Sequence, residues 1–121
     1  MDDDPDIQAE VSPVSMELLD EYTGGDREFL IELTDQFWSD LEDRLPSLRR
    51  SASPFDGALM KDVAHAIAGA ATCVGAEILR EKALALENCG RSSLVHLAPA
   101  LLLEFEAELQ RVRDFFADYL R

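Results

Sequence analysis

Between positions 27 and 50 the large apolar residues Leu30, Leu33, Phe37, Leu41, Leu45 and Leu48 follow one another at steps of three and four. That spacing draws one apolar stripe down an α-helix of about six turns, and it suits no strand, whose faces alternate at every residue. The same rhythm returns in Met60, Val63, Ala64, Ile67, Ala71 and Val74, in Leu79, Ala83 and Leu86, and in Leu102, Phe105, Leu109, Val112 and Phe116. No stretch of useful length alternates with period two. The chain is therefore expected to be all-α.

The punctuation between the stripes divides it into helices. Ser15 is placed to cap a short helix carrying Leu18, Leu19 and Tyr22; Gly24 and Gly25 stop it, and Asp26 caps the next. Pro46 is expected to bend the end of that second helix. "SASPFDG" breaks the pattern, and Asp56 is the expected cap of a third helix over 58–74, ended by Gly75. A fourth is expected over 76–89, before "CGRSS" turns the chain. The last is expected over 94–120, with Pro99 kinking or delaying its first turns. Short connections favour antiparallel neighbours, so the expected fold is an up-and-down antiparallel four-helix bundle with a short extra N-terminal helix.

Composition limits what such a bundle does. Among 121 residues, 25 are Asp or Glu against 11 Lys or Arg, and the net charge of −14 disfavours a nucleic-acid partner. Residues 1–12 are acidic, contain Pro5 and lack large apolar side chains, so they read as a solvated, disordered tail before a bundle domain over 13–121. With 47% hydrophobic residues, that one domain has enough to bury a core. The start "MDDDPDIQAE" lacks the basic-then-apolar order of a signal peptide, and no apolar run reaches a membrane span's length. A cytoplasmic, membrane-free monomer is expected. Cys73 and Cys89 have no metal-ligand spacing and read as free thiols.

One stretch of the third helix stands out, "VAHAIAGAATCVGAE". On a helical wheel His65 points roughly 140° from the core stripe and Gly69 nearly opposite it. A mid-helix glycine costs about 1 kcal/mol against alanine. Core packing does not explain Gly69, because it faces outward; helix termination does not either, because Gly75 supplies that. Access remains: without a β-carbon one turn along, another macromolecule can approach the imidazole closely. Neutral histidine is a competent nucleophile near pH 7. No serine, cysteine or carboxylate stands beside it in sequence in the manner of a hydrolytic triad, so the electrophile is expected to come from a partner. The shared outer face holds Lys61, Asp62, Thr72 and the small Ala58 and Ala76, flanked by Ala66, Ala68 and Ala70. Thr72 is either part of a docking face or bonded to its own backbone. Trp38 is expected at the core's edge, and His96 has no recognisable partner.

"HAIAGAATCVGA" is similar to the H-x-L-K-G-x-x-x-x-L-G-A signature of histidine-containing phosphotransfer (HPt) domains, with His65, Ile67, Gly69, Val74, Gly75 and Ala76 in register. The upstream "YTGGDREFLIELTDQFWSDLEDRLPSLRR" resembles that family's Gly-Gly-Asp turn and following helix. The resemblance runs from about Ser15 to Leu120. It implies that His65, through Nε2, accepts a phosphoryl group from the aspartyl phosphate of a response-regulator receiver domain and passes it to another receiver. It further implies a hybrid histidine kinase as a possible partner, and no cofactor held by the chain itself, since the receiver supplies Mg²⁺. The family usually carries lysine three residues after the histidine, where this chain has Ala68. Lys61, four residues before His65, is either a substitute cation for the phosphoryl group or a surface lysine beside Asp62. The expected docking face comprises Ala58, Lys61, Ala68, Gly69 and Thr72. The alternative reading is a non-catalytic helical interaction module, with Ala68 marking lost transfer.

Overall fold

In the computed structural model residues 11–121 are described; the tail expected over 1–12 lies outside them up to residue 10. Among the described residues five α-helices follow in order: α1 Met16–Thr23, α2 Arg27–Arg50, α3 Gly57–Cys73, α4 Glu77–Arg91 and α5 Ala98–Tyr119. A single 3₁₀ turn, Val95–Leu97, leads into α5.

The caps act where the sequence puts them. The Ser15 hydroxyl accepts from the Leu18 N–H, the Asp26 carboxylate from Glu28 and Phe29, and the Asp56 carboxylate from Leu59. Gly24 takes a left-handed φ of 64° to end α1. Helix α2 continues through Pro46 to Arg50. Pro99 occupies the first turn of α5, where its missing N–H deprives no carbonyl, so it delays the helix and does not interrupt it. Gly75, at φ 71°, turns α3 into α4, and its carbonyl accepts from the Ser15 N–H at 2.8 Å, tying the start of α1 to that turn.

One boundary differs from the sequence expectation. The glycine of "CGRSS" does not end α4; the helix runs on through Gly90 to Arg91, and Ser93 takes the positive φ, 53°. Gly90 is required by tertiary packing. A β-carbon there would stand 2.5 Å from the Gly57 carbonyl oxygen and 2.7 Å from the Lys61 nitrogen. The end of α4 thus crosses the start of α3 backbone against backbone.

Neighbouring helices run antiparallel. Lys82 on α4 pairs with Glu104 on α5 at 3.1 Å. Helices α2 and α5 close the bundle through contacts that run in opposite order: Arg27 to the Leu120 carbonyl, Trp38 under Arg113, and Arg49 to Glu106. Every stripe faces inward, with Leu41, Leu48, Met60, Ile67, Leu79, Leu86, Phe105 and Val112 fully buried. Trp38 is half-buried at the core's edge, edge-on to Phe37. Among the described residues no helix is long and apolar enough to cross a membrane.

Candidate functional site

His65 sits in the middle of α3, opposite the face that fills the core, and its side chain is 75% exposed. Exposure alone would leave the ring free to turn. It is held by α4: Nδ1 lies 3.2 and 3.3 Å from the two carboxylate oxygens of Glu87, 22 residues further along the chain.

Glu87 belongs to the inward side of α4, where its side chain is only 10% exposed. A lone carboxylate there would be costly. Its second partner is the Arg91 guanidinium, one turn on, with Nη2 2.6 Å from Oε2. Burial by itself raises the Glu87 pKa, but the hydrogen bonds from His65 and Arg91, and the charges they bring, outweigh it and hold the carboxyl below its ordinary value. Glu87 is therefore ionised near neutral pH. An ionised carboxylate only accepts, so Nδ1 must donate; in the neutral ring the lone pair is then on Nε2. Among the described residues Nε2 has no hydrogen-bond partner, so the nitrogen that carries the lone pair is the unbonded one.

The seam between α3 and α4 fixes this geometry. Because Gly90 packs on the Lys61 backbone, the last turn of α4 is drawn close to the first turns of α3, and Glu87 comes level with His65. Arg91 and Lys61 flank the same seam. The Lys61 side chain is 42% exposed, and its Nζ is 3.8 Å from Asp62, a loose surface pair.

Beyond the ring, a β-carbon at Gly69 would meet nothing within 4 Å. Ala58 and Thr72 are exposed with it, and the Thr72 hydroxyl donates to the Ala68 carbonyl at 3.1 Å, the backbone-bonded alternative for that side chain. A shallow apolar groove of about 170 Å³ lies past Gly69, lined by Leu33, Phe37, Ala70, Cys73 and Val74. Two wider depressions, of about 670 and 640 Å³, lie along α5, the first against Pro13 and the second against α2, and neither contains a residue of the His65 cluster. His65 stands on an open face, which suits contact with a macromolecule better than with an enclosed small molecule.

A family model for the Hpt domain matches residues 32–115. The chain belongs to the Hpt domain family. It is 28% identical over 105 residues to the phosphorelay intermediate protein rdeA of Dictyostelium discoideum, a match covering 85% of this chain and 41% of that protein. It thus spans about two fifths of that relative's length. Its fold matches the crystal structure of histidine-containing phosphotransfer protein B (HptB) from Pseudomonas aeruginosa PAO1, with a TM-score of 0.80 and 28% identity over 88% of this chain and 93% of that one. Histidine phosphotransfer in a phosphorelay is the function these matches support, and no observation favours the non-catalytic module.

Within this Hpt domain, Ala68 departs from its expected place. It is 5% exposed and part of the core, so it offers no docking surface; Ala76, expected on the same outer face, lies past the end of α3 and is fully buried at the start of α4. The position lies about 90° from the centre of the α3 stripe, and α4 covers that flank. Glu87 and Arg91 are the residues missed in the sequence. The one signal was an acidic residue beside Leu86 on the side of α4 that carries Leu79 and Ala83. The triad-like carboxylate absent from the neighbourhood of His65 in sequence is present in space, though no serine or cysteine accompanies it. Among the described residues no three His, Cys, Asp or Glu side chains gather as a metal site. Cys73 is exposed, and Cys89 is buried, which raises its thiol pKa. His96 is exposed on the 3₁₀ turn.

Proposed function

We propose that His65 is the phosphoacceptor of this Hpt domain, attacking through Nε2 the aspartyl phosphate of a receiver domain and handing the group on to another receiver. The observation that carries this reading is the Nδ1 contact to Glu87, which leaves the lone pair on the exposed nitrogen. Attack forms the Nε2–P bond as the acyl phosphate's C–O–P linkage breaks at phosphorus and returns its electron pair to the receiver's aspartate. Both phosphorylated species are reactive, so the exchange runs either way. Nucleophile and orientation come from this chain. The metal that neutralises the transferring group is assigned to the receiver, as in phosphoryl transfer generally.

Docking is assigned to Ala58, Gly69, Thr72 and the apolar groove beside Ala70, a low surface that admits a partner to van der Waals contact. Lys61 is assigned to steady the phosphoryl group, exchanging its loose contact with Asp62 for a charge-assisted one. We place the carrier in the cytoplasm as a monomer, with a hybrid histidine kinase among its partners. The test is to mix the protein with a phosphorylated receiver from the same cell and follow acid-labile phosphate. Label should appear on the wild type and be lost in His65→Gln; label that persists in His65→Gln refutes the assignment.

A further inference from the structure

We propose that Glu87 sets the lifetime of the phosphorylated state, keeping phospho-His65 in its readily discharged form by holding the proton on Nδ1 after Nε2 has been modified. The proposal rests on the acceptor role of His65 and concerns the fate of the phosphoryl group once it is bound.

When the phosphoryl group departs, the Nε2–P bond breaks and its electron pair returns to Nε2, while an oxygen of a receiver carboxylate or of water bonds to phosphorus. With Nδ1 protonated, the departing group is neutral imidazole. Without that proton it is imidazolate, a far poorer leaving group. In hydrolysis the proton of the attacking water passes to solvent, and the one on Nδ1 stays where it is. Whatever retains that proton therefore speeds discharge.

The geometry makes Glu87 that group. Its two oxygens lie 3.2 and 3.3 Å from Nδ1, and modification of Nε2, on the far side of the ring, leaves this contact in place. The other charges near the ring are accounted for. On α3, Lys61 and Asp62 pair with each other. Helix α4 presents Glu87 and Arg91, themselves joined at 2.6 Å. Helix α2, on the other flank, brings Asp40 to the groove beside Ala70 and Cys73, where Arg44 binds it at 2.9 Å. Of these only Glu87 touches the imidazole. Arg91 draws on the same carboxylate and so moderates its hold.

The test loads the full chain with phosphate chemically, using phosphoramidate, so that no receiver is required, and follows loss of phosphohistidine against pH. Glu87→Gln keeps the size and a hydrogen-bond acceptor but removes the charge. The difference between a charge-assisted and a neutral hydrogen bond predicts hydrolysis slower by roughly fivefold near pH 8.5, with the decline in rate setting in at lower pH than in the wild type. Arg91→Ala leaves the carboxylate to His65 alone and should discharge at least as fast as the wild type. Nitrogen-15 shifts of the ring should show Nδ1 protonated to higher pH in the wild type than in Glu87→Gln. Superimposable pH profiles for wild type and Glu87→Gln overturn the proposal, as does an Arg91→Ala protein slowed as much as Glu87→Gln. Label on His65 with failed transfer to every receiver refutes the relay reading alone; absence of any label on His65 overturns both.

Discussion

Replacing Gly69 by alanine separates clearance from every structural role the glycine has. The residue has an ordinary helical backbone, it is exposed in mid-helix, and an added β-carbon would meet nothing within 4 Å. No contact is lost and none is strained. Only propensity remains, and alanine should stabilise the protein by about 0.8–1 kcal/mol, raising the melting temperature by about 2–5 °C for a domain of this size. Function should move the other way. The new methyl stands one turn from His65 on the face assigned above to receiver docking, and an ångström of misplacement at a reacting centre costs on the order of 100-fold. Urea unfolding and single-turnover transfer from a phosphorylated receiver, measured on the same preparation, give both quantities. A more stable protein that transfers at least tenfold more slowly is expected. A more stable protein with wild-type transfer would refute clearance as the reason for the glycine, and a less stable one would refute the open surface described around it.

Gly90→Ala should do the opposite to stability. Restoring an ordinary 3.4 Å contact from 2.5 Å requires the α3–α4 crossing to open by about 0.9 Å. That should cost about 1–3 kcal/mol in urea unfolding, and loosen the His65–Glu87 contact, read as faster exchange of the ring proton by NMR. Glu87 makes stability depend on acid: its folded pKa lies below its unfolded value, so its contribution is complete above the ordinary carboxylate range and is lost as pH falls through the folded value. Unfolding measured from neutral pH downward should fall less steeply in Glu87→Gln than in the wild type, and equal slopes would contradict the assigned shift. Lys61→Ala should leave stability within about 0.5 kcal/mol and slow transfer several-fold; unchanged transfer would end its proposed role.

The helices were legible because their signals are local. The three-four spacing in α2, the caps at Ser15, Asp26 and Asp56, and the left-handed glycines at 24 and 75 each act within a turn of themselves. Gly90 was not legible, since the same residue type ends a helix or lets two backbones cross, and only the presence of Gly57 and Lys61 opposite decides which. Ala68 shows a related limit. A wheel centred on one stripe allows a single covered flank, whereas α3 packs on both α2 and α4 and buries a wider arc. The exposed position of His65 was visible through its glycine and its place on the helical wheel. Its orienting carboxylate comes from another helix, 22 residues away, and was marked only by an acidic residue on an inward-facing side.

Which atom of His65 takes the phosphoryl group decides whether the Glu87 contact orients the nucleophile. Phosphorus-31 and nitrogen-15 NMR of the protein after reaction with a phosphorylated receiver resolve the two ring nitrogens. Phosphate on Nε2, with Nδ1 still protonated against Glu87, is the predicted result; phosphate on Nδ1, or on any residue other than His65, would contradict it.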